Sequence, residues 1–167
     1  MSRFVVSFLP MFCLLIAACE AQTNKNRGLS LKWELLENQF EAPAHHKARF
    51  LIENQTGLPI EPGWKLYFNS IFFDLNAQIE NPDVELKHLA GDFFVLTGKG
   101  KDAGIARGES LSITYRSRNP HLKNHHAPEA PIFSLANGTL VSNMQFEISE
   151  MSVWDMRKQA GDSKLPI

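Results

Sequence analysis

The chain has 167 residues, of which 44% are hydrophobic, and its 17 basic and 18 acidic side chains give a net charge of −1. This length and apolar content predict one globular domain rather than a disordered chain. A nearly neutral sequence without a run of basic residues argues against a nucleic-acid partner.

The amino-terminal segment has the pattern of a secretory leader. Arg3 precedes an apolar run from Phe4 to Ala18, which is shorter than the roughly 20 residues of a membrane-spanning helix. The run ends in Ile16-Ala-Ala-Cys19, which resembles a bacterial lipobox. We therefore expect residues 1–18 to be a lipoprotein signal peptide and Cys19 to be the lipidated first residue of the mature chain. The alternative is an ordinary cleaved signal peptide with an incidental cysteine.

A lipidated Cys19 would anchor the protein to a membrane of the bacterial cell envelope, since each buried acyl methylene contributes about 0.8 kcal/mol. Glu20 follows, as in lipoproteins sent to the outer membrane, so we expect an outer-membrane or periplasm-facing location. Residues 19–28 are polar and predict a flexible tether. Cys13 would be lost with the leader, so neither a disulfide nor a cysteine-bound zinc is expected.

Short segments of alternating polarity follow along the mature chain. The segment 63–70 is typical, because Trp64, Leu66 and Phe68 fall on one face of an extended strand and Tyr67 and Asn69 on the other. Further strands are predicted at 29–36, 48–54, 84–89, 93–97, 110–117, 132–135 and 139–148. Residues 71–75 either continue the strand 63–70 or begin a new one, and 76–83, 98–108 and 118–131 are predicted loops.

This arrangement of seven to nine short strands, separated by turn signals and without a convincing helix, predicts an all-β fold. The expected architecture is an antiparallel β-sandwich over residues 29–150. Residues 151–167 are predicted to be a tail or the start of a linker to a further domain.

Two pairs of segments resemble a known family. The first pair is Phe50-Leu-Ile-Glu-Asn54 and Gly63-Trp-Lys-Leu-Tyr-Phe-Asn69, and the second is His88-Leu-Ala-Gly-Asp-Phe-Phe-Val-Leu-Thr97 and Gly108-Glu-Ser-Leu-Ser-Ile-Thr-Tyr115. Their order and spacing resemble the N-terminal domain of bacterial chitobiases and β-N-acetylhexosaminidases of glycoside hydrolase family 20. The resemblance covers roughly residues 30–136 and implies a sandwich similar to bacterial cellulose- and carbohydrate-binding modules.

The resemblance implies no catalysis by this chain. The family's catalytic part is a separate (β/α)₈ barrel of about 250 residues with an adjacent Asp-Glu pair, and this sequence contains no such pair. Its catalytic residues therefore cannot be carried over, and no cofactor is expected. Lys164-Leu-Pro-Ile167 resembles the opening of the next domain in the full enzymes, which suggests a truncated or split hexosaminidase.

Three functions remain open at this point. The first is a lipid-anchored domain that binds chitin-like or N-acetylglucosamine-containing glycan, or supports a hexosaminidase's catalytic domain. The second is a structural spacer or docking domain without a glycan ligand, and the third is a free-standing periplasmic interaction protein. The lipid anchor is the only membrane contact expected.

Sugar binding requires exposed aromatic faces beside planar polar groups, because a pyranose presents an apolar C–H face and a rim of hydroxyls. Tyr67 is the first candidate, since it points away from Trp64. The candidate residues for carbohydrate binding are Tyr67, Asn69, Phe73, Asp74 and Trp154, with Asn76 as a further polar partner. Trp33, Trp64 and Phe68 are in phase with core positions and are expected to be buried.

Histidines provide only a weak metal signal. His121, His125 and His126 lie in a polar loop at a spacing compatible with metal binding, but no carboxylate or cysteine accompanies them at a known spacing. We therefore predict no metal site. Asp92 is expected to cap the corner at Gly91 by bonding backbone amides.

Overall fold

Two β-sheets packed face to face make up the part of the chain that the computed structural model describes, namely residues 28–38, 45–71, 73–119 and 126–149. Nine strands lie within these ranges. They are β1 (Leu29–Asn38), β2 (His46–Asn54), β3 (Lys65–Asn69), β4 (Gln78–Ile79), β5 (Val84–Ala90), β6 (Phe93–Gly98), β7 (Ser110–Ser117), β8 (Glu129–Ser134) and β9 (Met144–Ile148). A 3-10 turn at Lys101–Ala103 lies in the loop between β6 and β7.

The sheets have five and four strands. The order in the first is β4-β7-β2-β1-β9, and the order in the second is β5-β6-β3-β8. Neighbouring strands run antiparallel except for β1 and β9, which pair in parallel from Leu29 opposite Met144 to Trp33 opposite Ile148. The predicted antiparallel β-sandwich is confirmed, and the predicted strands at 84–89 and 93–97 pair with each other as an antiparallel hairpin, β5 and β6.

Large aromatic side chains fill the space between the sheets. The fully buried ones are Trp33, Phe50, Trp64, Phe68, Phe94, Tyr115 and Phe133. Burial of each of these side chains stabilises the folded protein by about 1.5–3 kcal/mol. Since every second residue of a strand points to the same face, the alternation visible in the sequence is sufficient to direct these rings inward.

The two buried tryptophans keep their indole N–H groups hydrogen-bonded, as buried polar groups must. Trp33 Nε1 donates to the Tyr115 hydroxyl at 2.9 Å, and Trp64 Nε1 donates to the Ala103 carbonyl oxygen at 2.7 Å. The prediction that Trp33, Trp64 and Phe68 belong to the core is confirmed.

Strand prediction is wrong where pairing, rather than local pattern, decides the structure. Residues 71 and 73–75 form no strand, whereas β4 lies inside a predicted loop and is only two residues long. β9 begins at Met144, five residues later than predicted. β8 begins at Glu129, inside another predicted loop. It contains Pro131, which is tolerated because β8 is an edge strand.

A buried histidine begins β2. His46 is 3% exposed, its ring meets that of Tyr115 edge-on at 5.8 Å, and its Nδ1–H donates to the Asn119 carbonyl oxygen. Burial lowers the pKa of His46 from its ordinary value, the bond to Asn119 opposes this shift, and the nearby His126 adds to it. The imidazole is therefore neutral at neutral pH.

This lowered pKa makes the stability of the fold depend on pH. The unfolded chain protonates His46 as the pH falls through about 6.5, whereas the folded protein protonates it only at a lower pH. The stabilising contribution of the neutral His46 side chain is therefore complete above pH 6.5 and is lost as the pH falls below it. We expect the urea concentration at the midpoint of unfolding to decrease as the pH is lowered from 7.5 to 5.5. The variant His46→Gln should show a weaker dependence on pH. An unchanged slope in the variant would assign the effect to other groups.

Candidate functional site

The outer face of the five-stranded sheet is occupied by paired charges. Two clusters lie there, Lys32–Glu34–Arg49 and Lys47–Glu80–Arg116. In each, one carboxylate lies between two cations. The hydrogen bond from Lys32 lowers the pKa of Glu34, and the hydrogen bond from Arg116 lowers the pKa of Glu80. Compensated surface charges of this kind are typical of a solvated face.

The outer face of the four-stranded sheet carries polar residues such as Lys65, Glu85 and Lys87, and an apolar patch lies among them around Tyr67. Tyr67 on β3 lies in register between Val95 on β6 and Ile132 on β8, and Ile132 is 47% exposed. The rings of Tyr67 and Phe93 stack with centroids 5.8 Å apart and planes inclined by 15°. We call Tyr67, Phe93 and Ile132 the aromatic face, and leave out Val95 because it is 5% exposed. It offers ring surface, whereas the residues described on the outer face of the five-stranded sheet are mostly charged or polar.

A small cleft opens beside the aromatic face, at the end of β3. Its volume is about 50 Å³, and it is lined by Asn69, Ser70, Ile71, Asp92, Ala127 and Glu129. We call it the Asn69 cleft. Asn69 lies in register between Phe93 on β6 and Glu129 on β8, so the cleft is next to the stacked rings of Tyr67 and Phe93.

A β-bulge shapes one wall of the Asn69 cleft. Tyr67 pairs with Ile132 and Asn69 pairs with Glu129, so two residues of β8 lie opposite the single residue Phe68. One of them, Ala130, has φ of 48°. A left-handed conformation in a residue other than glycine costs about 1–3 kcal/mol, and residues with such strained backbones are enriched at functional sites.

A second cleft lies among loops at the end of β7. Its volume is about 190 Å³, and it is lined by His45, Asp74, Asn76, Gln78, Arg116, Ser117 and Arg118. Asp74 Oδ1 accepts a hydrogen bond from the Asn76 amide at 2.9 Å, and Oδ2 accepts one from the Arg118 amide at 3.4 Å. The carboxylate of Asp74 therefore holds the surrounding loop in place.

The structure separates the residues predicted for sugar binding. Tyr67 and Asn69 lie together on the outer side of β3, whereas Asp74 and Asn76 line the second cleft. Trp154 lies outside the described residues. Whether any of them binds sugar stays a prediction.

The expectation that Phe73 presents an exposed ring is wrong. Its side chain is 7% exposed and packs against Phe68, Phe94 and Tyr115 with ring centroids 5.2, 5.1 and 4.7 Å away. The chain turns after β3 instead of continuing as a strand, so the alternation that predicted an outward ring does not apply.

Sequence reasoning missed Phe93, Glu129 and Ile132. Phe93 precedes the buried Phe94 and therefore had to point outward, which was a usable signal. Glu129 and Ile132 gave no such signal, because their position next to β3 depends on the bulge and on strand order. The expected cap by the Asp92 carboxylate is also not observed: the Asp92 carbonyl accepts the Ser70 amide, and His88 Nε2 donates to the Gly91 carbonyl oxygen at 2.8 Å.

Within the described ranges, no cluster of three or more histidine, cysteine, aspartate or glutamate side chains is arranged to hold a metal ion. His126 is described and buried, whereas His121 and His125 lie outside those ranges. The same ranges contain no helix with the length and hydropathy needed to span a membrane.

Comparison with protein-family models and with curated protein sequences gives no match. Among solved structures, the fold is similar to part of the GH20 exo-β-N-acetylglucosaminidase from Vibrio harveyi in complex with N-acetylglucosamine. The TM-score is 0.58 and the identity 15%, over 75% of this chain and 19% of the enzyme. The chain thus spans about a fifth of that enzyme's length.

Two smaller proteins match at lower scores. The module CBM3b from the cellulosomal cellobiohydrolase 9A of Clostridium thermocellum matches with a TM-score of 0.48 and 15% identity, over 69% of this chain and 95% of the module. The chitin-binding domain of Chi18aC from Streptomyces coelicolor matches with 0.43 and 13%, over 75% of this chain and 98% of the domain. At such identities the similarity to the Vibrio enzyme establishes the fold alone.

Proposed function

We propose that this chain is a non-catalytic glycan-binding domain that holds sugar rings on its aromatic face. The observation that carries the proposal is the stacked pair of Tyr67 and Phe93, which points outward beside Asn69. Aromatic rings pack against the C–H face of a pyranose, and an adjacent amide bonds its hydroxyls or substituents. Among the described residues, the other sheet exposes paired charges instead.

The comparison with the Vibrio enzyme supports a role alongside glycoside hydrolysis. That enzyme is an exo-β-N-acetylglucosaminidase, and the matched part is 19% of its chain. We infer that our chain corresponds to the N-terminal domain of such an enzyme, as its sequence motifs suggest. Bond cleavage is assigned to a separate catalytic domain, since the sequence holds no adjacent Asp-Glu pair.

Removal of the Tyr67 ring tests this proposal. We expect Tyr67→Ala to weaken binding to N-acetylglucosamine oligomers about thirtyfold or more, because truncating a central aromatic anchor costs ~2 kcal/mol or more. Isothermal titration calorimetry with soluble oligomers, and retention on insoluble chitin, would measure the loss.

Leu58→Ala is the matched control. Leu58 is 73% exposed and lies in the loop between β2 and β3, at the end of β3 opposite the Asn69 cleft, so its truncation removes apolar surface without touching the aromatic face. Both variants require unfolding curves, since Tyr67 is half-buried. A wild-type protein that binds no tested glycan would overturn the proposal.

A second candidate function is docking of a protein domain on the same face. Ile132 is exposed next to Tyr67, and an exposed apolar patch is also typical of a protein interface. This candidate would be favoured if the wild type bound none of the tested glycans but did bind a hexosaminidase catalytic domain. Ile132→Asp should then abolish binding of that domain.

The proposal also includes the amino-terminal segment. We infer that Cys19 is acylated and holds the domain at the bacterial cell envelope, with the outer membrane as the expected location. The lipobox-like Ile16-Ala-Ala-Cys19 supports this inference. The mass of the mature amino terminus, measured in wild type and in Cys19→Ser, tests it.

A further inference from the structure

The lining of the Asn69 cleft combines two kinds of surface. Asn69, Asp92 and Glu129 contribute an amide and two carboxylates, and Ile71 and Ala127 contribute apolar walls. In the described part of the chain, the side chains of these three polar residues make no hydrogen bond or ion pair. Unlike Asp74 in the other cleft, they are available to a ligand.

The size of the cleft limits what enters it. Its volume of about 50 Å³ exceeds the roughly 10–15 Å³ that one water molecule requires, but it is far below the 300 Å³ or more that is usual for a site enclosing a whole small ligand. It accommodates a substituent of a sugar rather than a sugar ring. A calcium ion would need about six to eight oxygen ligands, which the apolar walls do not supply.

The cleft lies within reach of a sugar on the aromatic face. Asn69 follows Tyr67 by two residues on the same side of β3, and a strand rises about 3.3–3.4 Å per residue, so the two side chains are separated by roughly 7 Å. A ring substituent together with one hydrogen bond of about 2.9 Å covers that distance. The bulge at Ala130 places Glu129 directly across from Asn69, on the opposite side of β3 from Phe93.

We propose that the Asn69 cleft binds the acetamido group of a 2-acetamido sugar whose ring rests on Tyr67 and Phe93. This inference rests on the proposed function. An acetamido group has an N–H donor, a carbonyl acceptor and a methyl group. The Glu129 carboxylate, which lies across from Asn69, accepts from the N–H, the Asn69 amide donates to the carbonyl oxygen, and Ile71 and Ala127 contact the methyl group.

The test compares two oligomers of equal length and linkage, one of N-acetylglucosamine and one of glucose, which differ in the acetamido group. We expect the wild type to bind the acetylated oligomer about tenfold more tightly, because hydrogen bonds to a charged group are the stronger ones. Asn69→Ala and Glu129→Ala should abolish the preference, because each removes a partner of the acetamido group and weakens binding of the acetylated oligomer more than binding of the glucose oligomer. Tyr67→Ala should weaken both.

Glu61→Ala is the control, since it removes an exposed carboxylate that precedes β3, at the end of that strand opposite the cleft. Equal affinity of the wild type for both oligomers, or an unchanged preference in Asn69→Ala and Glu129→Ala, would overturn the inference and leave the proposed function standing. Absence of binding to either oligomer would overturn both.

Discussion

Replacing Gly98 by alanine is expected to lower the free energy of unfolding by about 3 kcal/mol, at the upper end of the usual cost of overpacking a core. An added Cβ would lie 2.3 Å from Trp64 Cε2, 2.4 Å from Nε1 and 2.6 Å from Cζ2. The indole has no room to move, because it is fully buried, stacks on Phe133 at 5.4 Å and donates to the Ala103 carbonyl oxygen. Urea unfolding followed by tryptophan fluorescence would measure the change.

Gly57→Ala is the matched control for this substitution. No atom lies within 4 Å of a Cβ placed at Gly57, and its φ is not in the left-handed region. The free energy of unfolding of Gly57→Ala should stay within about 0.5 kcal/mol of the wild-type value. If Gly98→Ala were as stable as Gly57→Ala, the close packing of Trp64 against β6 would be incorrect.

Asn54→Leu is expected to lower the free energy of unfolding by ~3 kcal/mol or more, although leucine has a similar size. The Asn54 side chain is fully buried and its Nδ2 donates to the carbonyl oxygens of Leu58 and Ile105 at 2.9 Å and of Ala106 at 3.2 Å. Its Oδ1 accepts from the Thr56 amide at 3.1 Å. Each polar group left buried without a partner costs about 1–3 kcal/mol. Chemical denaturation would give the value.

Two further variants separate the hydrogen bonds of Asn54 from its packing. Asn54→Asp keeps the acceptor for Thr56 but loses the donors to Leu58 and Ile105, so it should also be strongly destabilised. Gln55→Leu changes an exposed neighbour and should have little effect. A stable Asn54→Leu variant would show that Asn54 does not hold the loops at 54–58 and 105–106 together.

Most strands could be predicted from the sequence because each depends on local alternation. Leu31 and Trp33 in β1, and Leu66 and Phe68 in β3, point inward as the period of two requires. The roles of Asn54 and Gly98 could not be predicted in this way. Their partners, Ile105 and Trp64, lie 51 and 34 residues away in the sequence, and only strand pairing brings them together.

The candidate site could be predicted in part. Tyr67 and Asn69 were found because they alternate with core residues on one strand. Phe93 and Glu129 join them through cross-strand register, and Glu129 does so through a bulge that local pattern does not indicate. Phe73 was misplaced because the chain turns before it, so its ring fills the core.

The sequence by itself determined the all-β class, the inward tryptophans and the outward direction of Tyr67, since all three follow from the alternation of side chains along single strands. Tertiary structure alone decided that β1 and β9 pair in parallel, that Asp74 and Asn69 line different clefts, and that Phe93 stacks on Tyr67 beside Glu129. The physical reason is that strand order and register are set by the burial of both sheets together. A single strand carries no information about the neighbour against which it will pack.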